Sequence, residues 1–114
     1  MEPKTFEEFK FNYRGRSVEI KAETCKGFWN KFVGKMFTSD KEPIIFEFEK
    51  QVLADIHMLF VFMPLLVVWF NDKKKVTKMK IMKPFISYER AKARYVLEIP
   101  LGNNIIRNFE QFED

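Results

Sequence analysis

Hydrophobic and polar positions alternate along most of the chain, and that period-two pattern is the signature of half-buried strands. Phe9, Phe11 and Tyr13 alternate with Lys10 and Asn12. After Arg14-Gly15-Arg16, the residues Val18, Ile20 and Ala22 alternate with Ser17, Glu19, Lys21 and Glu23. The two runs read as a β-hairpin, with Gly15 free to take positive φ in the turn. Ile44, Phe46 and Phe48 repeat the pattern against Glu47 and Glu49. Gln51 to Asp55 reads as a short irregular connection. Ile56 to Phe62 is apolar on both faces, as a central strand would be. Pro64 marks a bend or strand start because it cannot donate to a ladder. Leu65 to Phe70 is rich in β-branched and aromatic residues, and Asn71-Asp72-Lys73-Lys74 is a polar turn. Val76 to Met82 returns as a strand, Lys83 to Ala93 reads as a connection, and Tyr95, Leu97 and Ile99 form a closing strand.

Two segments have helical spacing instead. Thr24 can cap a helix in which Cys25, Phe28, Trp29 and Phe32 share one face, with Gly34 at its end. Ile105, Ile106, Phe109 and Phe112 suit a short amphipathic C-terminal helix. The expectation is an α+β, mainly β fold: a single small, partly closed antiparallel barrel-like domain over residues 1–114, with about seven strands and two short helices. Phe46, Phe48, Met58, Phe60, Val67, Leu97 and Ile99 are its expected core.

Composition supports a packed domain. Of the 114 residues, 46% are hydrophobic, which is globular rather than disordered. One Cys excludes an internal disulfide and a thiolate zinc site, and one His adds little, so no metal and no cofactor is expected. No apolar signal-peptide core opens the chain, and a lone Cys suits a reducing compartment, which points to the cytoplasm. The longest apolar run, Ile56 to Phe70, contains His57 and Pro64 and is shorter than the ~20 residues of a spanning helix, so no membrane span is expected. Lys outnumbers Arg, Glu outnumbers Asp, and Gln is scarce, a thermophile-like surface bias.

The net charge of +4 permits a nucleic-acid partner without requiring one. Lys73, Lys74, Lys75, Lys78, Lys80 and Lys83 are the densest charge feature, and Arg14 with Arg16 forms a second basic turn. Lys78 and Lys80 project from one strand face, where they would meet phosphates as point charges. The same pattern also describes a solvated hairpin tip that discourages edge pairing. His57 shares a strand face with Asp55, so the two could act as an acid–base pair. It equally fits a packing residue satisfied by a backbone carbonyl. Cys25 reads as core.

Several segments resemble a known family. Gly34-Lys35-Met36-Phe37 is similar to the Gly-Leu-Met-Phe element of the domain of unknown function 192 family. Pro43-Ile44-Ile45-Phe46 sits where that family has a Gly-Met-Leu-Phe strand. Ile56-His57-Met58-Leu59-Phe60-Val61-Phe62-Met63-Pro64-Leu65 resembles the following strand in its archaeal form. Lys83-Pro84-Phe85 and the run Ala93 to Gly102 resemble the closing strand and turn. The resemblance implies a small, mostly β, partly closed barrel and no agreed reaction. Leu66 stands where many members carry Asp. His57, Met58, Leu59, Phe60 and Val61 stand where bacterial members often have Trp-Met-Lys-Asn-Thr, so that polar cluster is largely replaced. The resulting expectation is a non-enzymatic binding or accessory module for a protein or small ligand, with His57, Met58 and Arg94 as candidate lining residues. The alternatives are nucleic-acid binding through residues 73–83 and an enzyme using His57 with Asp55.

Overall fold

A computed structural model describes residues 6–28, 32–33, 42–57, 64–83, 88–104, 106–107 and 109. Seven strands follow in chain order: β1 Phe6–Tyr13, β2 Arg16–Phe28, β3 Phe32–Val33, β4 Ile44–His57, β5 Leu65–Phe70, β6 Val76–Met82 and β7 Tyr88–Pro100. They form one sheet in the order β1-β2-β4-β7-β5-β6, with the short β3 also on β4. The pairings are antiparallel except β2 with β4 and β3 with β4, which are parallel. The sheet is therefore dominated by antiparallel pairs, as expected, but mixed, because β2 and β3 run parallel to β4. It curls until its two outer strands touch at a corner. Asn12 bridges Lys75, and the Asn12 amide donates to the Lys74 carbonyl at 3.2 Å. The result is a half-barrel with a seam between β1 and β6.

The curl separates two apolar layers. Inside lie Phe9, Phe11 and Tyr13 of β1, Val18, Ile20 and Ala22 of β2, and Leu66, Val68 and Phe70 of β5, with Tyr95, Leu97 and Ile99 of β7. Outside lie Phe46 and Phe48 of β4 with Leu65, Val67, Trp69, Met82 and Val96. Every residue of β5 is buried, because this strand separates the two layers and each successive side chain enters the opposite one. Of the expected core, Phe46, Phe48, Val67, Leu97 and Ile99 are buried. Met58 and Phe60 lie outside the described residues. Aromatic rings dominate the inner layer. Phe11 meets Phe70 edge-on at 5.0 Å and stacks on Phe109 at 5.6 Å.

Among the described residues there is no α-helix. The helix expected from Thr24 is replaced at its start by β2, which continues through Phe28 and pairs with Ile44 to Phe48. β4 pairs with this segment in parallel, and that long-range pairing outweighs local periodicity. Further along the expected helix, Phe32 and Val33 form β3 on β4, and residues 29–31 and 34 lie outside the described residues. Toward the C-terminus, the Asn103 and Ile106 amides donate three residues back, a 3-10 turn that delivers Phe109 into the inner layer.

Gln51 to Asp55 is also no separate connection. β4 runs unbroken past it, with a bulge between Glu47 and Val52 where the register against β7 shifts. The expected connection up to Ala93 ends early, since Tyr88 to Ala93 is the first half of β7.

Candidate functional site

Two turns build the seam. Tyr13 pairs with Arg16, leaving Arg14 (φ 53°) and Gly15 (φ 77°) as a two-residue loop with both central residues in the left-handed region. That is the turn whose twist suits a hairpin, and Gly15 takes its position without steric cost. Across the seam, the Asn71 side-chain oxygen accepts from the Lys73 and Lys75 amides at 2.9 and 3.0 Å. The Lys74 amide donates to the Asn71 carbonyl, and the Asn71 amide to the Lys75 carbonyl. This closes a tight loop in which Lys74 takes a left-handed φ of 60°. Lys74 extends its ammonium over the rings of Phe9 and Tyr95, at 5.1 and 5.5 Å, capping the inner layer at the seam.

Two open grooves flank the contact. The larger, about 520 Å³, is lined by Asn12, Tyr13, Arg14, Gly15, Lys75 and Val76. The smaller, about 200 Å³, is lined by Lys10, Phe11, Asn12, Ser17, Lys73 and Lys74. Asn12 belongs to both. The Tyr13 hydroxyl behind the larger groove is buried and has no hydrogen-bond partner among the described residues.

The basic stretch of the sequence divides at this point. Lys73, Lys74 and Lys75 sit on the seam loop, whereas Lys78 and Lys80 both bind the Glu89 carboxylate. Lys80 reaches its second oxygen at 2.7 Å. Those hydrogen bonds, Lys78 first and Lys80 second, hold the Glu89 carboxyl below its ordinary pKa. On the outer edge of β1, the Glu8 carboxyl is pushed up, chiefly by hydrogen bonding to Glu19 and then by its negative charge.

Arg94 occupies the β4 bulge. Its Nε donates to the Phe48 carbonyl at 2.5 Å, a backbone group inside the stretch where the ladder to β7 is interrupted. Its guanidinium lies 3.7 Å from the Glu47 carboxylate and over the Tyr95 ring. His57 ends β4 opposite Tyr88, and Asp55 stands opposite Arg90. Six residue steps along β7 separate Tyr88 from Arg94, about 20 Å of extended chain. His57 and Arg94 are thus not brought together. Met58 lies outside the described residues. Among the described residues no group of three metal-ligating side chains occurs, and no helix is long and apolar enough to cross a membrane.

Sequence reasoning missed the convergence of Lys10, Asn12 and Ser17 on the Lys73–Lys75 loop. Nothing in local periodicity signals it, since it arises from the curl of the sheet. The Glu89 clamp escaped for the same reason. Glu98, a fully buried charged residue in the closing strand, carried a signal: it interrupts the apolar run from Tyr95 to Pro100.

The fold defines this chain as a curled, mixed-sheet half-barrel with a basic seam. It belongs to the uncharacterised family of domain of unknown function 192, described as "Uncharacterized ACR", whose model matches residues 10–108. The curated relatives are archaeal. A UPF0127 protein of Pyrococcus furiosus is 28% identical over 92 residues, covering 78% of this chain and 79% of the relative. A UPF0127 protein of Thermococcus gammatolerans is 30% identical over 93 residues, covering 78% of this chain and 61% of the relative. The chain thus spans under two thirds of the Thermococcus protein. Among solved structures, a protein of unknown function from Novosphingobium aromaticivorans superposes with a TM-score of 0.69. It is 15% identical, and the match covers 93% of this chain and 79% of that one. A putative transcription regulator from Sinorhizobium meliloti gives a TM-score of 0.66 at 13% identity, covering 89% and 82%. These two likenesses concern the fold alone.

Proposed function

We propose that this chain is a non-enzymatic binding or accessory module, acting as one domain in the cytoplasm, and that it receives a small ligand at the seam between β1 and β6. The observation that carries this reading is the pair of grooves meeting at Asn12. Their walls are exposed polar side chains standing on two hydrogen-bonded turns, and behind them is a rigid aromatic layer. A concave surface with a few convergent polar groups on a rigid support is the usual form of a ligand site. Arg94, by contrast, spends its guanidinium on the Phe48 carbonyl and Glu47, which favours a structural role for it over ligand lining.

Amide NMR shift mapping of the full chain with a library of neutral fragments tests the location. The expected result is perturbation confined to residues 10–17 and 71–76. Perturbation centred on residues 47–57 and 88–94 would overturn it and return the site to the His57 end of β4, where the Asp55–His57 alternative would have to be pursued.

A further inference from the structure

Resting on the seam as the binding site, we infer that its ligand is a compact phosphorylated molecule, with phosphate in the smaller groove and the non-phosphate moiety in the larger. The smaller groove gathers Lys10, Lys73 and Lys74 around Ser17 and Asn12. The ammonium groups of Lys73 and Lys75 carry no ion pair and no hydrogen bond among the described residues, and Lys10, opposite Glu19 and acting on Glu8, adds a third positive charge at the groove. Ser17 adds a hydroxyl donor and Asn12 an amide donor. Several charged donors around a concave surface match a group with multiple acceptor oxygens and more than one negative charge. The larger groove has a different character. Tyr13, Gly15 and Val76 give it apolar wall, while Arg14 and Lys75 stand with them in the lining. An amphipathic anion fits this pair of grooves better than a bare ion does.

The footprint is also short, which separates a compact ligand from a nucleic-acid strand. A polymer track needs cations spaced along the strand it follows. Here the basic run ends at the loop, because Lys78 and Lys80 are both engaged by Glu89. In the other direction the cations are matched by carboxylates, with Glu8 opposite Lys21. Glu19 stands opposite Lys10 in the β1–β2 ladder, and Glu8 lies one step further along the same face, hydrogen-bonded to Glu19. Along β6 and along β1 the positive charge of the seam is thus matched by carboxylates, leaving a short basic footprint at the two turns.

Isothermal titration calorimetry of the full chain tests this with three probes: inorganic pyrophosphate, a nucleoside diphosphate and a single-stranded oligonucleotide. Both diphosphates should bind, the nucleoside diphosphate more tightly because it also fills the larger groove. Lys10→Ala combined with Lys73→Ala should weaken both about tenfold or more. Lys80→Ala should leave them unchanged, since Glu89 already holds that ammonium. Unchanged circular dichroism and melting establish that each variant is folded. Absence of diphosphate binding up to about 1 mM overturns the proposal, as does equal weakening by Lys80→Ala. Equal affinity for the two diphosphates removes the larger groove from the site. Tighter binding of the oligonucleotide, falling steeply with salt, would make the seam a polymer surface instead. If neutral fragments perturb the seam amides and diphosphates do not bind, the seam remains the binding site and the phosphate assignment falls. If neither reaches the seam, both fall.

Discussion

Three side chains show how buried and paired polar groups set local stability. The Tyr13 hydroxyl is buried with no partner among the described residues, so it contributes desolvation cost without a compensating hydrogen bond. Tyr13→Phe should therefore be neutral or stabilising by up to about 1 kcal/mol, read from the urea midpoint. A loss of more than about 1 kcal/mol would mean that the hydroxyl is satisfied. Glu89 carries a testable sign. Its folded pKa is depressed by Lys78 and Lys80, so its contribution to stability is present above the ordinary carboxylate range and is lost as pH falls through the folded value. Glu89→Gln should flatten that acid limb of the stability–pH profile, and NMR titration of the Glu89 carboxyl should show the low value directly. Glu8 has the opposite sign. Its raised pKa gives a contribution that is present below the ordinary range and is lost as pH rises through the folded value.

At the scale of elements, the strands were legible wherever one face was aromatic or β-branched. β1, the start of β2 and the end of β7 follow the alternation of Phe9-Phe11-Tyr13, Val18-Ile20-Ala22 and Tyr95-Leu97-Ile99, and β5 stands out as a continuous apolar run. The first half of β7 was not legible, because its apolar residues are Ala91 and Ala93 of the outer layer, which contrast weakly with Lys92 and Arg94. β4 was misread for a physical reason. Its bulge shifts the register between Glu47 and Val52, so a single strand looks like two with a connection between them. Arg94 bonds a carbonyl of that bulge, and Arg94→Met should cost about 1.5–3 kcal/mol, the range for a hydrogen bond from a charged group. A thermal unfolding midpoint unchanged by the substitution would contradict this role. The β1–β2 turn permits a gain. Arg14 sits at a left-handed position that favours Asn or Gly, so Arg14→Asn should stabilise the hairpin by a few tenths of a kcal/mol to about 1 kcal/mol. A loss would show that the guanidinium over the Tyr13 ring outweighs the turn preference.

For the molecule as a whole, the curl of the sheet decides what the sequence could not. The basic residues around Lys73 were visible in the chain, as were Arg14 and Arg16. Their convergence with Lys10, Asn12 and Ser17 depends on β1 and β6 meeting across five intervening pairings, which no local pattern encodes. The same curl separates the lysines by use, placing Lys73 and Lys75 at the grooves, Lys74 over the Phe9 and Tyr95 rings, and Lys78 and Lys80 against Glu89. Family membership fixes the fold and leaves the ligand to the chemistry of the seam.

The most direct measurement is a crystal structure of the full chain grown with a nucleoside diphosphate. The account predicts phosphate density within hydrogen-bond reach of the Lys10 and Lys73 ammonium groups, with the nucleoside lying along Tyr13, Gly15 and Val76. Density at the His57 end of β4, or an empty seam at saturating ligand, would contradict it.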